Sequence, residues 1–234
     1  MNYVYSETLE FSDDDYRETL SYITAQRREK AERYFSMKDK KLSVLAYLVL
    51  IYGLKKEYGI EKKQEFYTNC YGKPFPVLEN YSFNISHTEG GVMCSLGMGD
   101  LGCDIESCVE KPFLPENIFH KNEINLVRNA TNPSFAFTRL WTLKEAWAKC
   151  DGLGLLSDLS MMDFSENIEK RIFEYKGRSL SSGICKGLFW AFCIKEDKKE
   201  TKENYYKEPI LVTKLDLFRE VLNGKKESLD CTWN

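Results

Sequence analysis

The chain has 234 residues, enough for one large domain or two small ones with an ample core. Its apolar content of 43% and charged content of 29% are those of an ordinary soluble globular protein. A net charge of −3 and a pI near 5.7 exclude the global basic field that drives nucleic-acid binding, so any anion site must be local.

Residues 1–7 have neither the basic nor the apolar region of a signal peptide, and the longest apolar run, 42–54, is too short to span a bilayer. No membrane association is expected. Eight cysteines without a C-x-x-C pair, and two histidines, argue against zinc; free thiols in a reducing cytoplasm are expected.

In chain order, residues 3–5 suit a short strand, and Asp13-Asp14-Asp15 opens a helix with acids in its first turn. The stretch 27–41 is basic: Arg27, Arg28, Lys30, Arg33, Lys38, Lys40 and Lys41 stand against Glu29, Glu32 and Asp39. Composition alone makes it a solvated helix face, and a phosphate-binding patch needs support from elsewhere. Ser36 to Asp39 resembles a capping box opening a helix to about residue 56, closed near Gly59. Strand-like segments follow at 64–69 and 82–86, with a turn at 71–74 between them. Segments 91–96 and 101–106 flank Gly97-Met98-Gly99-Asp100, which reads as a hairpin loop.

The second half opens with Pro112 and Pro115 in a loop, then a helix over 116–129. Asn132-Pro133 caps the next helix, which Gly152 ends. Strands are predicted at 160–164, 171–176, 184–195 and 208–214, an exposed loop at 195–204, and a last helix at 215–223 stopped by Gly224. Each half therefore runs from a long buried helix into antiparallel strands. That order predicts an α+β fold of two similar lobes, 1–106 and 107–234.

The helix after Asn132 carries W-T-L-K-E-A-W-A-K, residues 141–149. Trp141, Glu145 and Lys149 recur at i, i+4 and i+8, so they form a row on one face. An ordinary surface ion pair is the simpler account. The helix is apolar nearly all round, however, and charged groups on a buried helix need partners.

Cys103-Asp104-Ile105-Glu106 supplies such partners, because residues i and i+2 of a strand point to one face, roughly 6–7 Å apart. Taken alone, D-x-E is an exposed strand end with two solvated acids. With Glu145 it becomes a set of three hard oxygen ligands suited to magnesium, and Lys149 would sit beside a phosphate on that metal. Asn84-Ile85-Ser86-His87-Thr88 and Tyr71-Gly72-Lys73-Pro74 add hydroxyls, a histidine, a cation and free backbone groups. Together these are the parts of phosphoryl transfer. The reading stands on the three acids sharing one divalent ion.

G-K-P, F-N-I-S-H-T, G-C-D-I-E and W-T-L-K-E-A-W-A-K, in this order and at these separations, resemble the 4′-phosphopantetheinyl transferases of the single-chain, two-lobed, Sfp type. The resemblance covers residue 27 to about 155; the first strand and the last third match only in pattern. It implies two pseudo-symmetric α+β lobes in a monomer, coenzyme A and Mg²⁺ in the cleft, and an apo acyl or peptidyl carrier protein as partner. A carrier serine would attack the β-phosphate, and 3′,5′-ADP would leave. Asp104, Glu106 and Glu145 would hold the metal, and Glu145 could take the serine proton, directly or through water. Lys149 would neutralise or protonate the departing phosphate. Ser86 and His87 would contact coenzyme A phosphates, Arg27 and Lys30 the 3′-phosphate, and Gly72, Lys73 and Pro74 the adenine.

This chain departs from the family where an arginine usually contacts the nucleotide: Leu42 stands there, with Lys40 and Lys41 as candidate substitutes. Ala46 stands where glycine is common, a mild change. Phe113, Leu114, Ile118 and Phe119 are placed either to meet a carrier helix or to pack in the core. The rival readings are a Mg²⁺-dependent phosphodiester hydrolase and a coenzyme A-binding module without catalysis.

Overall fold

The computed structural model describes residues 1–6, 8–77, 81–153, 158–195 and 208–222. It begins with strand β1 (Asn2–Tyr5) and helices α1 (Asp13–Thr19), α2 (Ala25–Glu32) and α3 (Met37–Tyr58). Each helix has a side-chain N-cap: Ser12 accepts from Asp15 N, Thr24 from Arg27 N and Ser36 from Asp39 N. Gly59, at φ 66°, closes α3 in the left-handed conformation, as the sequence predicts.

Strands β2 (Phe66–Thr68) and β3 (Pro74–Pro76) form a small hairpin, and β4 (Ser82–Thr88), β5 (Gly91–Gly97) and β6 (Asp100–Glu106) follow. Helices α4 (Lys121–Asn129) and α5 (Pro133–Asp151) precede β7 (Ile172–Tyr175), β8 (Arg178–Cys185) and β9 (Leu188–Lys195). The described chain ends with β10 (Ile210–Leu211), α6 (Lys214–Leu217) and a π-helical turn, Phe218–Leu222. The architecture is α+β.

Two four-stranded sheets organise it, ordered β10-β1-β5-β4 and β6-β9-β8-β7. Helix α3 packs on one face of the first through Val44, Leu48, Tyr3, Tyr5 and Leu96, among others. Helix α5 covers one face of the second through Leu140, Leu143, Trp147, Leu180 and Cys193. The remaining faces meet in a third core that includes Val4, Met93, Ile105, Trp190 and Phe192. Alternation along each strand thus serves two cores at once.

The structure corrects several expectations. Residues 97–100 are not a hairpin loop: β5 pairs with β1 and β4, whereas β6 pairs with β9, Asp104 lying opposite Ala191. The turn is a crossover between sheets, a choice that side-chain alternation cannot show. The predicted single strand at 184–195 is two strands, β8 and β9, joined by Lys186 and Gly187, both at positive φ (51° and 80°). Lys176 and Gly177 (44° and 75°) turn β7 into β8 in the same way. A 3₁₀ turn, Leu159–Met161, replaces the strand expected at 160–164. Helix α4 starts at Lys121 rather than 116, because His120 is its cap. The expected loop at 195–204 and the stop at Gly224 lie outside the described residues, apart from Lys195 itself.

Candidate active site

The site begins with a close approach. A Cβ on Gly102 of β6 would lie 2.2 Å from Ala146 O and 2.3 Å from Cys150 N of α5, so only glycine lets strand and helix come this near. On α5, Trp141, Glu145 and Lys149 are half-buried while Thr142, Leu143, Lys144, Ala146, Trp147 and Ala148 are buried. The predicted row is real, and it faces the D-x-E strand.

Lys149 Nζ donates to Asp104 Oδ1 at 2.5 Å and to Ser86 Oγ at 3.0 Å, and Ser86 Oγ donates to Asp104 Oδ1 at 2.8 Å. One pleat along, Thr88 Oγ1 donates to Glu106 Oε2 at 3.2 Å. The edge strands β4 and β6 therefore meet through a row of hydroxyls against a row of carboxylates. Asn84 Oδ1 extends the seam by accepting from Cys103 N at 2.9 Å.

The carboxylates are short of positive charge. Asp104 is buried, and its Oδ2 has no hydrogen-bond partner among the described residues. Burial, then the charge of Asp104, pushes Glu106 up to about 7, against hydrogen bonds from Thr88 and Trp141. Glu145 is also raised, by burial first, with Lys149 opposing and Asp104 adding. Burial would lower Lys149, but the charge and hydrogen bond of Asp104 more than offset it, so the ammonium titrates above its usual value.

Among the described residues, no group of three or more His, Cys, Asp and Glu side chains is arranged to hold a metal ion. In this arrangement Lys149 and Ser86 take Asp104 Oδ1, and Thr88 and Trp141 hold Glu106. The donor set nonetheless fits a hard divalent cation in its chemistry. It offers an unpartnered buried carboxylate oxygen and two further carboxylates whose ionisation is opposed first by burial and then by the charge of Asp104.

Two adjoining cavities, about 470 and 250 Å³, run from this seam toward α2. Arg27, Lys30, Tyr34, Gly72, Pro74 and Ile85 line both. Lys73, His87 and Lys149 line the smaller one, and Arg33 the larger. One acid, Glu29, lines the larger cavity and none the smaller.

Arg27 is buried and pulled down to about 10 by that burial; it donates to Ser43 O and, at 3.0 Å, to Ser43 Oγ, and its Nε has no partner. Lys30 is lowered by burial and then by repulsion from Arg27 and Arg33. His87 is lowered by burial, then by Lys149 and Arg27. In a chain of net charge −3, this is a local store of uncompensated cation.

The structure thus gathers Arg27, Lys30, Gly72, Lys73, Pro74, His87 and Lys149 around one cavity. Ser86 does not line it; it is buried against Asp104. The Lys73 ammonium donates to Leu101 O (2.9 Å) and Cys150 O (3.2 Å). Asp104, Glu106 and Glu145 line neither cavity. Leu42 is core, and Lys40 and Lys41, paired with Glu32 and Asp13, do not replace the missing arginine. Phe119 is buried, Leu114 and Ile118 pack against the same core, and Phe113 is 76% exposed.

The 4′-phosphopantetheinyl transferase superfamily model matches residues 100–187. That span holds β6 and α5, and with them Asp104, Glu106, Glu145 and Lys149. Similar proteins include a Bacillus subtilis 4′-phosphopantetheinyl transferase, Sfp, 30% identical over 151 residues, or 62% of this chain and 66% of that one. An Aneurinibacillus migulanus 4′-phosphopantetheinyl transferase, gsp, is 31% identical over 156 residues, 63% of each chain. A Saccharomyces cerevisiae L-aminoadipate-semialdehyde dehydrogenase-phosphopantetheinyl transferase is 30% identical over 145 residues, 55% of this chain and 53% of that one. Over these spans the chain is similar to the 4′-phosphopantetheinyl transferases. It spans just under two thirds of the length of the first two relatives.

The chain also carries features that its motifs did not flag. Lys144, within W-T-L-K-E-A-W-A-K, is fully buried and paired with equally buried Glu123 at 2.8 Å. It also donates to Leu159 O and Met162 O, tying α5 to the segment beneath it. A lysine at a buried helix position without a carboxylate in local register was the available signal. Asn69 gave none.

Proposed function

We propose that the protein transfers the 4′-phosphopantetheine group of coenzyme A to a serine hydroxyl of an apo acyl or peptidyl carrier protein, releasing 3′,5′-ADP. The observation that carries this reading is the Lys149 ammonium, fixed on Asp104 at one end of a cavity whose other walls bear Arg27 and Lys30 without carboxylate partners among the described residues. Such a cavity suits a ligand with several phosphates.

In this reading the nucleotide and its 3′-phosphate lie against Arg27, Lys30, Gly72 and Pro74, and His87 faces the diphosphate. Asp104, Glu106 and Glu145 would hold a magnesium ion, which supplies charge neutralisation at the phosphate oxygens. Glu145 takes the proton of the attacking serine, directly or through a water. The new bond joins serine Oγ to the β-phosphorus, and the bond from that phosphorus to the bridging oxygen breaks. Lys149 neutralises or protonates the oxygen that departs with 3′,5′-ADP, so its effect is greatest in the transition state.

The chain is further proposed to act as a cytoplasmic monomer of two pseudo-symmetric lobes, 1–106 and 107–234, with no nucleic acid or membrane taking part. A long helix packed on a four-stranded sheet occurs twice and supports this division, although each sheet takes one strand from the other half, β10 in the first and β6 in the second. Incubation with Mg²⁺, coenzyme A and a panel of apo carriers tests the function. A mass gain of one phosphopantetheine on a carrier is expected. Cleavage of nucleic acid, or coenzyme A binding with no carrier labelled, would overturn it.

A further inference from the structure

We infer that Asn69 is a positioning residue, which bolts the β2–β3 turn to the end of α5 and so fixes the nucleotide cavity relative to Lys149. The inference rests on the transferase reading. Asn69 lines neither cavity, so it acts through other groups.

Its Oδ1 accepts from Tyr71 N at 3.0 Å and Lys73 N at 2.9 Å, shaping the turn that presents Gly72 and Pro74 to the cavity. Its Nδ2 crosses to the other half and donates to Gly152 O at 3.0 Å. The last carbonyls of a helix lack partners within it, and its C-terminal end favours positive charge. Asn69 answers the carbonyl of the capping Gly152, while the Lys73 ammonium answers Cys150 O. The seat is tight: a Cβ on Gly152 would lie 2.9 Å from Lys73 Cδ and 3.5 Å from Asn69 Nδ2.

The hairpin's other end is tied to α2, where Gln26 donates to Phe66 O at 2.8 Å and accepts from Phe66 N at 3.3 Å. A two-stranded hairpin of three residues a side has little stability of its own, so these tethers set its place. It therefore spans from the helix bearing Arg27 and Lys30 to the helix bearing Lys149. Loosening the Gly152 end lets the held nucleotide drift from the ammonium while leaving its other contacts intact.

Asn69→Asp separates the two roles. It keeps the acceptor that shapes the turn, removes the donor to Gly152 O, and sets a carboxylate against a helix C-terminus. Turnover is expected to fall about 10- to 100-fold, the cost of a misplacement near 1 Å. The calorimetric Kd for coenzyme A should change by less than about threefold, the size of one modest hydrogen bond. In a Lys149→Ala background the added loss of turnover should vanish, since the bolt acts through that amine. Amide exchange in residues 148–152 should quicken with little change in Tm.

A lower Tm with unchanged turnover would overturn the inference, as would equal loss of turnover and affinity, or the full penalty persisting beside Lys149→Ala. Should wild type label no carrier, the functional reading fails on its own. The bolt is then judged by amide exchange, and an unchanged rate in Asn69→Asp would sink it. Asn69→Ala, which also loses the turn contacts, is expected to be worse in both Kd and turnover.

Discussion

Lys149 Nζ and Asp104 Oδ1 lie 2.5 Å apart, with Ser86 Oγ within hydrogen-bond reach of both. The carboxylate is 2% exposed and the ammonium 29%, so the pair has one foot in the core and one in the cavity. Lys149→Ala should therefore do two separable things. Turnover should fall far more than coenzyme A affinity, because charge on the leaving phosphate develops late. Stability should fall by about 1–3 kcal/mol, less than for a fully buried pair because the lysine keeps some solvent. Single-turnover labelling beside calorimetry checks the first, and equal losses in rate and affinity would contradict the assigned role.

Arg27 should behave in the opposite way. Its guanidinium is buried without a carboxylate, and burial already pulls it down to about 10. Arg27→Met should weaken coenzyme A binding about 10- to 100-fold, the worth of a charge-assisted contact, and leave turnover at saturation nearly unchanged. The ligand-free protein should be no less stable, since an unpaired buried charge is removed. A fall in Tm with unaltered affinity would place Arg27 in the scaffold instead.

Much of this site was legible in the sequence because its parts are local. Helical spacing put Trp141, Glu145 and Lys149 on one face, and strand spacing put Asp104 and Glu106 together. The caps at Ser36, Asn132, Gly59 and Gly152 were readable for the same reason. What escaped depends on partners far away in the chain. Pairing of β6 with β9 rather than β5 is decided by which faces can share a core. Lys144 reads as a surface cation until Glu123, brought in by α4, is seen beneath it. Asn69 looks like an ordinary turn residue because Gly152 is 83 positions on. The hold of Lys149 on Asp104 Oδ1 is equally hidden, because strand and helix lie 45 positions apart.

The carboxylates should make stability fall with rising pH. Burial, and then Asp104, raises Glu106 from its ordinary 4.5 to about 7, and Glu145 moves in the same direction. Between those values the folded protein keeps a proton that the unfolded chain has lost. Folding is then favoured at the acid end of that window and penalised as pH climbs through 7. A divalent cation needs these groups ionised and displaces their protons. Mg²⁺ should thus raise Tm more at pH 8 than at pH 5.5, and Glu106→Gln should flatten both the pH slope and the Mg²⁺ gain. Thermal melts across pH with and without Mg²⁺ provide the test. A Tm indifferent to the ion at every pH would remove these acids as its ligands.

Gly102 offers the sharpest structural test, because the three nearest atoms that a side chain there would strike are all backbone. The added Cβ of Gly102→Ala would sit 2.2 Å from Ala146 O, 2.3 Å from Cys150 N and 2.8 Å from the Lys149 carbonyl carbon. None of these can swing aside, so α5 must move off β6 as a body. Overpacking of this kind costs about 1–3 kcal/mol or more. The shift also carries Lys149 and Glu145 away from Asp104 and Glu106, so turnover should fall well beyond what partial unfolding explains. Gly183→Ala makes a matched control in the same sheet. Its nearest neighbours would be atoms of the Trp190 ring, at 3.0–3.1 Å, on the face that packs with Ile105 in the third core rather than on the carboxylate face. That variant should lose some stability and keep its rate per folded molecule. Should Gly102→Ala match it in both melting temperature and turnover, the close approach of β6 to α5 is not what sets the site.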